Sequence, residues 1–193
     1  IRPYTVCAVV KNLKFDDGRI KEIIDIQEKL HLTLGRKRKK AAIGIYPMEK
    51  INFPIKYEAK NPKEIRFTPL EETREMDGLQ ILQKHPAGRE YGFLLEGENK
   101  FPVFVDSHKK ILSMPPIINS HETGKITSET KDIFIECSGF DLQTLENILN
   151  IIVYSLDSMG GRIYSVEVLY SNKKMVFPDL IPLMMKFSLE NVN

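Results

Sequence analysis

Apolar and polar positions along the chain fall into blocks of two periods, one suited to strands and one to helices. Residues 4–10 (YTVCAVV) are β-branched and aromatic with no charge, which predicts a buried strand. Ile20, Ile23, Ile24, Gln27, Leu30 and Leu34 then recur near helical spacing, with Asp16 or Asp17 as the N-cap and Gly35 as the stop. AAIGIYP (41–47) predicts a short strand. From 51 to 70, Pro54, Pro62 and Pro69 predict short extended pieces, because proline forfeits a bond in a ladder or a helix. MDGLQILQKH predicts a short helix ended by Pro86, FPVFVDSHKKILSM (101–114) a hairpin with a polar tip, and PPIINSHETGKIT a loop.

The C-terminal third carries the clearest pattern. IFIEC is apolar on both faces and runs into Glu136, which predicts a strand covered on both sides. The following helix is capped by Asp141, buries Leu142, Leu145, Ile148, Leu149, Ile152 and Leu156, and stops at Gly160. RIYSVEVLY alternates as a strand. The expected fold is mixed α/β (α+β), a central mixed sheet flanked by helices with a C-terminal βαβ unit. Residues 1–176 are expected to form one domain, and 177–193, with two prolines, the connection to a next module.

Composition adds few constraints. The 193 residues are 42% hydrophobic and 28% charged, ordinary for a soluble globular chain. No apolar run approaches the roughly 18–20 residues needed to span a bilayer. The start resembles no signal peptide and lacks Met, so a piece of a longer chain is expected. Cys7 and Cys137 sit among apolar neighbours without a C-x-x-C spacing, which predicts reduced, buried thiols and a cytoplasmic protein. The net charge of +2 does not announce nucleic acid, but GRKRKK places Arg36, Lys37, Arg38, Lys39 and Lys40 in a row, either a solvated turn or a phosphate contact. No P-loop, dinucleotide fingerprint or zinc-ligand spacing is present, which argues against nucleotide hydrolysis, dinucleotide redox chemistry and a metal site.

Four constellations could carry chemistry. Glu136 and Ser138 share a strand face and, with Gly139 permitting a turn, either line a cavity at a sheet edge or sit at its solvent rim. His85, Gly88, Arg89 and Tyr91 crowd a turn. Asp106, Ser107 and His108 are the side-chain types of a hydrolase triad, but triad groups converge in space rather than follow one another, so a charged hairpin tip is the better reading. Asn119, Ser120, Glu122 and Thr123 form a dense polar loop.

The blocks GRKRKKAAIGIYP, IRFTPLEETREMDGLQILQKHPAGREYGFLL, FPVFVDSHKKILSMPPIINSHETGKIT and DIFIECSGFD resemble, in order, the tRNA-editing domain of phenylalanyl-tRNA synthetase beta subunits of the archaeal and eukaryotic type. The resemblance runs from about Arg2 to Val168. It implies hydrolysis of tyrosine wrongly esterified to phenylalanine tRNA, with Phe104, Ser113, Glu136 and Ser138 binding the amino acid. No protein base is strictly required, because the neighbouring ribose hydroxyl could assist; His85, Asn119 and Thr123 are candidates. The family context favours the tRNA-backbone reading of residues 36–40. No cofactor is implied in this domain; ATP and magnesium belong to the site on the alpha subunit, the expected partner in a heterotetramer. Family members usually carry Asp-x-Thr-Gly where this chain has Glu136-Cys137-Ser138-Gly139, and often Leu at the position of Phe104; the changes alter reach and pocket width. The alternative is a tRNA-docking or scaffold module without hydrolysis.

Overall fold

The computed structural model describes residues 2–182, 184 and 186. Its largest element is a five-stranded sheet in the order β11 (Lys174–Phe177), β10 (Arg162–Leu169), β1 (Tyr4–Lys11), β9 (Ile133–Gly139), β2 (Ala41–Pro47), every neighbouring pair antiparallel. Helices α1 (Asp17–Leu32) and α5 (Leu142–Ser158) cover one face. Alternation assigns the faces: Ile133, Ile135 and Cys137 of β9 meet Leu145, Leu149 and Ile152 of α5, while Phe134, Glu136 and Ser138 point the other way.

That other face packs on a second sheet, β3 (Lys56–Lys60), β6 (Phe101–Val105), β7 (Ile111–Met114) and β8 (Ile118–Asn119), also antiparallel throughout. Behind it lie the short helices α2 (Gly78–Lys84) and α3 (Pro86–Tyr91), joined to it through Ile81, Tyr91, Val103 and Val105. A ribbon of β4 (Arg66–Phe67) and β5 (Met76–Asp77), and a single turn α4 (His121–Gly124), complete the structure. The mixed α/β class therefore holds, built as two antiparallel sheets rather than one mixed sheet.

Several local expectations are refined. The βαβ unit is split: β9 and β10 are both antiparallel to β1 and so run parallel to each other, with β1 between them. Helix α1 ends at Leu32, before Gly35, and Asp16 caps it by accepting from the Arg19 N–H at 2.8 Å. Asp141 occupies the cap position of α5, but its carboxylate accepts from the Thr144 hydroxyl rather than from a backbone N–H. Gly139 belongs to no tight turn. A Cβ there would lie 2.1 Å from the carbonyl oxygen of Lys40, so glycine is needed for close backbone approach. Both cysteines are free and buried. Phe177 ends β11 inside the main core, and the expected connection beyond Pro182 lies, apart from Met184 and Lys186, outside the described residues.

Strand β2 is a sheet edge, and α1 closes it. Gln27 Nε2 donates to the Ile43 carbonyl at 3.0 Å, and His31 Nε2 accepts from the Ile43 N–H at 2.9 Å. The proton of His31 is therefore on Nδ1, facing Glu28 at 3.2 Å. Burial lowers the His31 pKa, keeping the ring neutral. The unfolded chain gains a proton there below about pH 6.5, so this contribution is present above that pH and is lost as pH falls. His31→Ala should cost about 1–3 kcal/mol at pH 8 by leaving the Ile43 N–H unpaired, and its deficit should shrink in acid. Urea unfolding at pH 8 and pH 5 checks this; an equal deficit at both pH values rules out the neutral-acceptor role.

Candidate active site between the two sheets

The two sheets bring opposing rows of side chains together. On the second sheet, cross-strand pairing aligns Tyr57, Phe104, Ser113 and Asn119. On the first, Cys7–Glu136–Gly44 and Thr5–Ser138–Ala42 form adjacent rows. Ser113 faces the gap because of a β-bulge: Phe104 pairs with Ser113 but Val105 with Ile111, so Leu112 is an extra residue. Both Leu112 and Ser113 are thereby turned toward the first sheet.

Glu136 is 1% exposed and has no ion pair among the described residues. Tyr46, fully buried, places its hydroxyl 3.2 Å from Glu136 Oε1 and 2.7 Å from Ser113 Oγ, bridging the sheets. Tyr46 has one hydrogen to give. With Glu136 protonated, Glu136 donates to Tyr46 and Tyr46 to Ser113; with Glu136 ionised, Tyr46 donates to Glu136 and Ser113 to Tyr46. Burial pushes the Glu136 carboxyl up to about 8, against the pull of the Tyr46 hydrogen bond and the Arg2 charge. Burial likewise raises Tyr46 and Cys7, so both stay neutral. Gly44 makes the arrangement possible: a Cβ there would stand 2.2 Å from Tyr46 Oη and 2.4 Å from Glu136 Oε1. Among the described residues Glu136 Oε2, Ser138 Oγ and Tyr57 Oη are buried without a hydrogen-bond partner, Tyr57 Oη approaching Ser138 Oγ without closing a bond.

A cavity of about 450 Å³ reaches Glu136 past Ala42 and the β2 edge, lined also by Asn119, His121, Lys125 and Pro116. A second, of about 610 Å³, opens on the opposite side against Thr5, Tyr57, Phe104 and Phe134. Ser113 and Ser138 line neither and form the partition with Tyr46. Arg2 braces it by donating from Nε and Nη2 to the Ser138 carbonyl and from Nη1 and Nη2 to the Arg38 carbonyl. Among the described residues, no group of three or more His, Cys, Asp or Glu side chains could hold a metal ion.

Residues 9–152 match the family model described as the B3/4 domain. The chain belongs to the B3/4 domain family. The phenylalanine–tRNA ligase beta subunit of Thermococcus sibiricus is 47% identical over 182 residues, 94% of this chain and 32% of that protein. That of Pyrococcus furiosus is 44% identical over 192 residues, 100% of this chain and 34% of that protein. The chain thus spans about a third of the length of these curated relatives. The crystal structure of an N-terminal fragment of the phenylalanyl-tRNA synthetase beta subunit from Pyrococcus horikoshii superposes with a TM-score of 0.96 at 42% identity, covering all of this chain and 55% of that one.

In this B3/4 domain the four residues named as substrate-binding, Phe104, Ser113, Glu136 and Ser138, converge between the sheets. The three candidates for water activation do not. His85 sits elsewhere, its Nδ1 accepting from the Ala87 N–H at the start of α3 and its Nε2 donating to the Leu70 carbonyl. Thr123 donates to the Leu112 carbonyl and pins the bulge. Only Asn119 lines the cavity. The basic run divides too. Arg36 and Lys37 are exposed, whereas Arg38 donates to the carbonyls of Pro116 and Ile117, pairs with Glu28 and stacks 4.4 Å over Tyr91. That anchorage offsets left-handed backbone at Arg36, Lys37 and Arg38 (φ 47°, 53° and 63°), which costs about 1–2 kcal/mol per residue. Lys39 lies over Phe93 at 5.7 Å, and Lys40 is half-buried. Sequence reading missed Tyr46, Tyr57 and Arg2; His121 lies inside the candidate loop 119–123, and its buried Nδ1 lacks a partner among the described residues.

Proposed function

We propose that this B3/4 domain is the editing module of a phenylalanine–tRNA ligase beta subunit, hydrolysing tyrosyl-tRNA(Phe) to release tyrosine. The observation that carries the reading is Glu136: a fully buried carboxyl, one oxygen held by Tyr46 and the other unpartnered, beside a cavity of amino-acid size. A phenylalanine pocket rejects a substrate that merely adds a hydroxyl by only about 10²-fold, so a second site must select for that hydroxyl. A phenolic hydrogen donated to Glu136 Oε2 provides the selection. Phenylalanine leaves that oxygen unpaired, a penalty of about 1–3 kcal/mol.

The remaining parts follow from the same cavity. Ala42 and Pro116 bound the space for the ring on the Glu136 side, and Phe104 stands across the partition. Asn119 and His121 lie along the cavity, where they can orient the ester or the attacking water, and the neighbouring ribose hydroxyl assists. Arg36 and Lys37 offer charge to the tRNA backbone, with Lys39 and Lys40 beside them; Arg38 holds the turn in shape. The full beta chain would act in the cytoplasm with its alpha subunit, as a heterotetramer on tRNA(Phe). The test is to incubate the full ligase with tyrosine-charged phenylalanine tRNA and follow tyrosine release. Release well above the spontaneous rate is expected. A spontaneous rate removes the hydrolase reading and leaves the docking-module alternative.

A further inference from the structure

Tyr57 is a residue of the inter-sheet rows that neither the family resemblance nor the proposed mechanism uses. It lies on β3, directly opposite Phe104, with the two rings stacked at 4.4 Å and 19°. That stacking fixes the ring and sends the hydroxyl toward the first sheet. There it senses the Glu136 and Arg2 charges and the Ser138 hydroxyl, and burial is the main cause that raises its pKa, so it keeps its proton. Its oxygen approaches Ser138 Oγ without closing a bond, so among the described residues it, Ser138 Oγ and Glu136 Oε2 are each buried with bonding capacity to spare. Ser138 is fully buried and Glu136 nearly so. Native interiors pair most of their polar atoms. These three meet at the wall between the two cavities, Glu136 lining one, Tyr57 the other and Ser138 neither, and a ligand atom that reaches this wall is their complement.

The complement has definite chemistry. A carboxyl oxygen accepts one hydrogen, and two hydroxyls can each donate one. A ligand hydroxyl, with one hydrogen and two lone pairs, satisfies all three at once. We propose that Tyr57 is a specificity-determining residue of this site, donating its hydroxyl hydrogen to the phenolic oxygen whose own hydrogen goes to Glu136 Oε2. The inference rests on the editing reading of the same site and adds to it a third recognition point. It also gives Phe104 a purpose that leucine at that position would not serve, since the flat ring orients Tyr57.

The test is Tyr57→Phe in the full ligase, with two readouts. In the first, tyrosine release from mischarged tRNA should fall about tenfold or more, while hydrolysis of the phenylalanyl ester stays at its low level. In the second, binding of non-hydrolysable 3′-amide analogues, tyrosyl-adenosine against phenylalanyl-adenosine, should lose a similar factor of preference. The melting temperature should stay level or rise, because the variant removes an unpaired buried hydroxyl. An unchanged tyrosyl preference in the variant overturns the role of Tyr57 while editing stands. Tyrosyl preference in the parent without hydrolysis removes editing and leaves recognition, with Tyr57 still judged by the binding ratio. A parent with no preference overturns both.

Discussion

Glu136→Gln should lower tyrosine release from mischarged phenylalanine tRNA by about 10- to 100-fold while making the domain more stable in alkali. The loss follows because Tyr46 and a bound phenol together give the carboxyl two donors and so favour its ionised form when tyrosine is in place. A neutral amide cannot supply that charge-assisted contact, a difference of about 1.5–3 kcal/mol. The gain follows from proton linkage. The unfolded chain loses the Glu136 proton near pH 4.5, whereas burial in the fold holds it to about pH 8. Between those values the folded state binds the extra proton, so the Glu136 contribution to stability is largest below pH 4.5 and falls as pH rises toward 8. The amide has no proton to lose and escapes that decline. Chemical denaturation of parent and variant at pH 5 and pH 9 reads the second effect, and tyrosine mischarging by the full ligase reads the first. Phenylalanine charging should be unchanged. Should mischarging stay at the parental level, Glu136 does not discriminate; should the two stability curves run parallel across pH, its carboxyl is not held protonated.

The second large effect is expected at Gly44. Gly44→Ala would place a methyl 2.2 Å from Tyr46 Oη and 2.4 Å from Glu136 Oε1, far inside van der Waals contact. Tyr46 cannot withdraw, because its ring stacks on Phe134 at 6.1 Å and its hydroxyl is tied to Ser113. A cost of about 1–3 kcal/mol from overpacking is expected, together with loss of tyrosine release, since the carboxyl itself is displaced. Adding Tyr46→Phe removes the nearer oxygen and should recover part of the stability but none of the activity. That non-additivity distinguishes a specific collision from general damage. Urea unfolding of the two single variants and the double variant gives the answer, and strictly additive losses would contradict the collision.

How legible the molecule was in its sequence depends on range. The strand of residues 4–10, helix α5 and the strand after it were readable because a local period decided them. Glu136 and Ser138 were placed on one face by the strand period of two, and they share it. The second sheet was not readable as a separate layer, because its strands are short and, although β6 and β7 form the expected hairpin, β3 joins it across residues 61–100. Ser113 faces Tyr46 only through the bulge at Leu112, which no periodicity announces. Tyr46 and Tyr57 look like ordinary core aromatics until their hydroxyls are seen at the carboxyl. His85 drew notice as a histidine in a crowded turn, yet one of its nitrogens caps α3 and the other holds the Leu70 carbonyl. The five cations read as one patch, although Arg38 is an internal brace.

The closed rim at β2 has a consequence for self-association. With the Ile43 backbone already bound by Gln27 and His31, and Pro47 lacking an N–H, that side offers little template to another chain. The opposite rim, β11, carries no such cover from α1. A sheet that can be extended at one end alone joins two copies and then terminates. Strand addition through this sheet with α1 in place should therefore stop at two copies.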